Sequence, residues 1–387
     1  GDLVTMDHFD HLWLNEGFAT YCEALFYEWL YGRIFYHYYV DRWENRLGIN
    51  DDYALVNPDA DRFWGSLVYR KGAFVLHMLR RVVGDAVFFE SCRDYLKAHS
   101  YETALTEDLQ AAFEFNSGES LDWFFNQWVY RAGRPFYSWF WQYVDEQTNG
   151  SIIRVTIDQV QSGDAFVMPA DIRVVRLNGD SETFTVWNDQ RNQTFDLDIA
   201  WEDIARVEFD PDNYILKYAT NPTKPEPPIL QAVASSGDPG EITVSWVPEG
   251  SNPEGFQLFQ SDDQSNWTLA AGTSVLPGAA RSTTISASET TPRYYQLRSI
   301  SVTGQPGDFS DIYGVRVGGP AADRALIVDG FDRWDRLAGG MGHRWSVLHG
   351  EAMEPYGIAF NTAANEAVLD GSVLLDAYAA VVWICGE

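Results

Sequence analysis

Cysteine, basic residues and long apolar runs are all scarce in this 387-residue chain. Its three cysteines, Cys22, Cys92 and Cys385, are too few and too scattered for a disulfide framework or a sulfur-ligated metal site, and are expected to be small core residues. Only 27 Lys and Arg stand against 56 Asp and Glu, a net charge of −29. Such a surface repels phosphate backbones and anionic lipid heads, which excludes nucleic acid and membrane surfaces as partners. No apolar run reaches the roughly 18 residues that a membrane-spanning helix requires. The chain opens with neither a signal peptide nor an initiator Met, and its last residues, YAAVVWICGE, read as a buried strand without its continuation. Both ends are expected to be cut.

What is present is ample core material, 45% apolar and 15% aromatic, in a length that predicts two to four domains. The fold class read from the pattern is multidomain, mainly α at first. Residues 1–136 are helical, with apolar residues at three-and-four spacing over Tyr69 to Gly84 and Ser120 to Gly133. Gly84 and Gly133 stand where helices end, and Ser120 where a cap is wanted. Over 137–220 the period becomes two, as in Ser151 to Val160, Asp171 to Leu177 and Ser181 to Asn188, predicting an all-β module. Residues 221–228, NPTKPEPP, read as a stiff linker. Short strands follow over 229–318, at Glu241 to Val247, Gly255 to Ser261 and Tyr294 to Val302, with Trp246 and Tyr295 placed as a β-sandwich places its core Trp and corner Tyr. This stretch resembles a fibronectin type III domain, which implies a spacer or binding module. Residues 319–387 read as an incomplete α/β domain, with an apolar strand in Arg324 to Trp334 ending at Asp329 and Gly330, and a second strand within Leu374 to Glu387.

Histidine gives no complete metal site. His8 and His11 are three apart and read as solvated residues ahead of a helix, while His37, His77 and His99 stand singly. No pair has the spacing of the His-Glu-x-x-His zinc helix. Glu16 is the anomaly, near the start of a helix running from Asp10 to Gly32. A carboxylate there complements the helix dipole for about 0.3–1 kcal/mol, and Asn15 beside it reads as a cap. Its surroundings, however, are Trp13, Leu14, Phe18, Tyr21 and Leu25, with no Lys or Arg before Arg33. A carboxylate on an apolar face needs a cation, a metal or several donors.

The residues around it carry a resemblance. GDLVTMDHFDHLWLNEGFATY (Gly1 to Tyr21) resembles the segment after the zinc helix of the gluzincin aminopeptidases, the family of aminopeptidase N and leukotriene hydrolase. There a Glu in Leu-Asn-Glu-Gly-Phe-Ala, eighteen residues beyond His-Glu-x-x-His, is the third zinc ligand. Here the phrase is Leu14 to Ala19. Two further segments, SLVYRKGAFVLHML (Ser66 to Leu79) and FFNQWVYRAGRPF (Phe124 to Phe136), match in the same order. DPDNYILK (Asp210 to Lys217) resembles the closing strand of the family's small β domain.

The resemblance implies a zinc-dependent hydrolase acting on peptide or protein substrates. It assigns Glu16 as the third Zn2+ ligand and Tyr69 as the donor to the oxyanion of the tetrahedral intermediate. Lys71, Gly72 and Ala73 read as packing and helix-start residues, and Asp10 as a cap for the Glu16 helix. His11 stands where many relatives carry an acid. Both zinc histidines, the general-base Glu and the pocket for the substrate's amino group are expected upstream of Gly1, so the fragment alone is expected inactive and a weak binder of zinc. The alternative reading is a degenerate peptidase fold kept for binding or adhesion, with the fibronectin-like module as its working part. The sandwich and the acidic surface point to an extracellular or periplasmic address. Oligomeric state is not legible.

Overall fold

In the computed structural model the described residues are 3–57, 65–147, 150–200, 204–235, 240–250, 253–270, 275–286, 291–318, 323–330 and 345–385. The helical part begins with α1 (Trp13–Tyr31) and α2 (Arg33–Asp41), divided at Gly32, whose φ of +86° suits glycine and stops the first helix. Next come α3 (Gly72–Val83) and α4 (Asp85–Ala98), divided in the same way at Gly84 with φ +81°. α5 (Thr106–Ser117) and α6 (Asp122–Trp128) complete the block. Gly133 ends no helix. α6 stops at Trp128, and the Gly133 N–H donates to the Asp51 carbonyl instead. Nor is Ser120 the N-cap of α6, a position held by Leu121. Residues Gly72 to Arg80 of α3 are all buried, so α3 is the central helix against which α1 packs. The second half of α1 behaves differently, leaving Phe26, Trp29 and Tyr31 largely exposed.

Two short strands, β1 (Thr5–Met6) and β2 (Thr103–Ala104), pair in parallel at the start of the block. The β module then follows as β3 (Phe136–Gln147), β4 (Gly150–Gln159), β5 (Met168–Arg176), β6 (Ser181–Asn188), β7 (Asn192–Ile199), β8 (Ile204–Phe209) and β9 (Tyr218–Thr220). They form sheets of order β7-β4-β3-β9 and β6-β5-β8. Ile153, Val155 and Ile157 point alternately inward from β4, as the two-residue period requires. The apolar core runs without a break from Trp13 and Phe74 through Tyr137 and Ile172 to Leu216, so the helical block and this module share it. Asp210 to Lys217 is a loop and not a strand. The buried Asp210 carboxylate accepts the N–H groups of Tyr214 at 2.8 Å and Ile215 at 2.9 Å and the Lys217 ammonium at 2.6 Å, replacing ladder partners.

Residues 221–228 form no regular element and lie against the following sandwich, where the Thr223 hydroxyl donates to Gln305 Oε1 at 2.8 Å and Lys224 pairs with Asp308 at 2.6 Å. One face of that sandwich holds β10 (Ile229–Ser235), β11 (Glu241–Val247) and β15 (Ser282–Ser286). The other holds β12 (Gly255–Ser261), β13 (Thr268–Leu269), β14 (Leu276–Pro277), β16 (Arg293–Ile300), β17 (Pro306–Phe309) and β18 (Tyr313–Val315). Trp246 and Tyr295 are both buried between the two. Arg298 joins the sandwich to the β module. Its Nη1 donates to the carbonyls of Ile204 at 3.0 Å and Ala205 at 2.8 Å, and its guanidinium lies over the rings of Phe259 and Phe309.

Three parallel strands follow, β19 (Ala325–Gly330), β20 (Phe360–Ala364) and β21 (Ala380–Cys385), with β19 between the others and α7 (Trp345–Met353) and α8 (Asn365–Leu369) in the connections. The first of these strands ends at Gly330, as expected from sequence, and Phe331 to Trp334 lie outside the described residues. β20 also pairs antiparallel with β10, so sandwich and parallel strands share a six-stranded sheet of order β15-β11-β10-β20-β19-β21. Among the described residues no helix is long and apolar enough to cross a membrane. Cys22 and Cys385 are exposed and Cys92 half-buried, against the expectation of three core residues.

Candidate active site

α1 is entered through a single 3-10 turn, Phe9–His11, and its start is held by side chains from distant segments. The Trp13 indole donates to the Thr106 hydroxyl at 3.0 Å, and His11 Nδ1 accepts the Thr106 N–H at 3.2 Å with the hydroxyl 2.9 Å away. This pattern makes Nδ1 the unprotonated ring nitrogen. His11 is therefore half-buried and fixes the first turn of α5; it is not the solvated residue expected from its setting. An acid at this position would also accept that N–H.

Two further expectations are corrected. Asp10 caps nothing, since its carboxylate pairs with His8 at 2.9 Å and the N-cap of α1 is Leu12, without a side-chain bond. Asn15 does not cap either. Its Oδ1 accepts the Met6 N–H at 3.0 Å and its Nδ2 donates to the Thr5 hydroxyl at 3.1 Å, pinning β1 against the helix that carries Glu16.

Glu16 lies half-buried in the first turn of α1, one residue before Gly17. Tyr69 lies in a π-helical turn, Leu67–Lys71, that leads into α3 three residues before Gly72. α1 and α3 touch at these two glycines. A Cβ built on Gly17 would stand 2.9 Å from the Gly72 carbonyl carbon, and one on Gly72 would stand 3.1 Å from the Gly17 Cα. Backbone contact this close brings the residues just before each glycine together, and the Tyr69 phenol lies within electrostatic reach of the Glu16 carboxylate. Partial desolvation, and after it the nearby Glu16 carboxylate, hold the phenol pKa above the ordinary tyrosine value. The structure thus unites the two residues picked out in the sequence.

The π turn is anchored from below. Lys71 is fully buried, and its ammonium donates to the Tyr53 carbonyl at 2.9 Å and the Arg131 carbonyl at 3.5 Å. Burial lowers its pKa to about 8, the nearby Asp51 opposing. Sequence reasoning placed Lys71 among packing residues but gave no hint that it binds two carbonyls, because backbone acceptors leave no residue-type signature.

A second buried chain runs across the helices. The Tyr21 hydroxyl lies 2.9 Å from that of Tyr36, which lies 2.7 Å from His77 Nδ1, while His77 Nε2 is 3.1 Å from the Asn213 carbonyl. A carbonyl only accepts, so Nε2 carries the ring proton, Nδ1 accepts from Tyr36 and Tyr36 accepts from Tyr21. Desolvation drives the His77 pKa down to about 3, which keeps the ring neutral. α1, α2, α3 and the loop after β8 are joined by this line.

The residues present do not fit a zinc centre by themselves. Among the described residues no group of three or more His, Cys, Asp and Glu is placed to hold a metal ion. Glu16 offers one carboxylate, while His11 and His77 have ring nitrogens committed to the structure.

Comparison with known proteins finds similarity to aminopeptidases. The chain is 39% identical over 150 residues to Aminopeptidase M1 of Arabidopsis thaliana, covering 36% of this chain and 17% of that protein. It is 34% identical over 151 residues to Aminopeptidase N of Streptomyces lividans, covering 34% and 17%. A crystal structure of Legionella pneumophila aminopeptidase A in complex with aspartic acid aligns with a TM-score of 0.47 at 18% identity, over 57% of this chain and 25% of that one. The chain spans about a sixth of the length of these curated relatives. Residues 1–128, which include Glu16, Tyr69 and both crossing glycines, match the Peptidase family M1 domain.

Proposed function

We propose that this chain is part of a zinc-dependent aminopeptidase of family M1, which removes N-terminal residues from peptides. The observation that carries the proposal is the closeness of Glu16 and Tyr69 at the Gly17–Gly72 crossing, inside the segment that matches the family domain. In this reading Glu16 is the carboxylate ligand of Zn2+, and two imidazoles and a general-base Glu come from a His-Glu-x-x-His helix preceding Gly1. Tyr69 keeps its proton at neutral pH, since its pKa is raised, and is the donor for the oxyanion that forms when water adds to a peptide carbonyl. Gly17 and Gly72 set its distance to Glu16, and Lys71 holds the turn that presents it.

The remaining units are assigned in the same reading. Residues 229–318 are a fibronectin type III-like sandwich serving as a spacer or binding module, and the parallel strands belong to an α/β domain. The enzyme is placed outside the cytoplasm, in an extracellular or periplasmic setting. The test is to read the gene upstream of the Gly1 codon for His-Glu-x-x-His with three residues between its last His and Gly1, and to assay aminoacyl-anilide hydrolysis by the chain extended to include it. Hydrolysis by the extended chain and none by residues 1–387 is the expected result. Other residue types at those positions, with no hydrolysis, would establish the degenerate, binding-only alternative.

A further inference from the structure

Two of the three thiols, far apart in sequence, lie on helices that meet in the fold. α1 and α4 run antiparallel along one flank of the helical block. The rings of Phe18 and Tyr95 stack with centroids 6.2 Å apart, and those of Tyr21 and Phe88 meet edge to face at 5.6 Å. Moving forward along α1 from Phe18 therefore means moving backward along α4 from Tyr95. Cys22 lies four residues after Phe18, and Cys92 three residues before Tyr95, so both occupy the next turn of the same contact. Cys22 is exposed, whereas Cys92 is half-buried against the core. The two thiols also feel one another electrostatically: burial pushes the Cys92 pKa up to about 12, and the charge of Cys22 adds to the rise while Arg93 opposes it.

We propose that Cys22 and Cys92 are a modification site, a redox-sensitive pair that closes to a disulfide bridging α1 and α4 by exchange with a small disulfide such as oxidised glutathione. The exposed Cys22 thiolate, its proton lost to solvent, attacks one sulfur of the oxidant. One glutathione thiolate leaves and takes up a proton, and a mixed disulfide remains on Cys22. The Cys92 thiolate then attacks Cys22 Sγ and expels the second glutathione. Two protein thiols lose two hydrogens and two electrons, and one oxidised glutathione becomes two reduced ones. Both thiols hold their protons at neutral pH, since burial raises each pKa, so the exchange is slow there and quickens with rising pH. The bridge fastens the helix that carries Glu16 to α4. It rests on the packing of these helices alone and is independent of the proposed activity.

The test is incubation of the folded Cys385→Ser chain with oxidised glutathione at mildly alkaline pH, followed by intact-mass measurement and peptide mapping under non-reducing conditions. The expected result is a loss of two hydrogens, a cross-linked peptide joining Cys22 to Cys92, and a thermal unfolding midpoint that rises and returns on reduction with dithiothreitol. The Cys92→Ser, Cys385→Ser chain is expected to stop at the mixed disulfide, gaining one glutathione. Retention of glutathione on Cys22 in the chain that still has Cys92, or two thiols that both remain free to alkylation, would overturn the proposal.

Discussion

The Tyr69 phenol lies within reach of the Glu16 charge because Gly17 and Gly72 allow two helices to meet backbone to backbone. Both glycines have ordinary helical dihedrals, so what the site requires of them is the missing Cβ and not conformational freedom. Gly17→Ala must push α1 and α3 apart. Alanine gains about 1 kcal/mol over glycine in intrinsic helix propensity, while overpacking of this kind costs about 1–3 kcal/mol. A net loss of stability in urea denaturation, together with a fall of the Tyr69 pKa toward the ordinary value, is expected. Unchanged stability and an unchanged pKa would show that the crossing does not set the contact.

Glu16→Gln removes the charge while keeping an acceptor. The Tyr69 pKa, raised first by desolvation and then by Glu16, should fall but stay above the ordinary tyrosine value. Ultraviolet difference titration of wild type against variant, with Tyr69→Phe to identify the signal, measures the shift. A pKa that rises or stays constant would separate the two groups.

His77 gives the fold a sensitivity to acid. Its folded pKa, about 3, lies below the ordinary value of about 6.5. Between these values the unfolded chain binds the proton and the folded chain does not, so its contribution is intact above about 6.5 and is lost progressively as pH falls toward 3. The upper part of the window, above about pH 5, precedes most carboxylate titration. Wild type should lose stability between pH 6.5 and 5, and His77→Gln should show a flatter profile there at a lower overall stability. Parallel profiles would remove His77 as the source.

Arg298 fixes the sandwich to the β module through the carbonyls of Ile204 and Ala205. Arg298→Ala leaves these two acceptors without the guanidinium, a loss of about 1–3 kcal/mol. The sandwich should then swing on residues 221–228, seen as a larger radius of gyration in small-angle scattering and faster cleavage in that segment. Equal scattering and cleavage would place the rigidity elsewhere.

Legibility in the sequence followed the range of the interaction. The strands at Glu241–Val247 and Gly255–Ser261 have the bounds expected from sequence, and burial alternates along the first, a local property. Glu16 was conspicuous because a charge on an apolar face has a cost that composition alone exposes. Its contact with Tyr69 was not legible, because helical glycines required for close approach look like any others. His11 was misread for a related reason: its partner, Thr106, is 95 residues away and offers a backbone N–H. The resemblance implies a strand at Asp210 to Lys217, whereas two backbone N–H groups there turn inward to a single buried carboxylate.

Zinc content measured by mass spectrometry on the chain extended through the preceding His-Glu-x-x-His tests the role of Glu16 most directly. One zinc per wild-type chain, loss of that zinc in Glu16→Gln, and retention of it in Tyr69→Phe with hydrolysis reduced by about 10²–10³-fold are expected. Full zinc and full hydrolysis in Glu16→Gln would contradict the assignment.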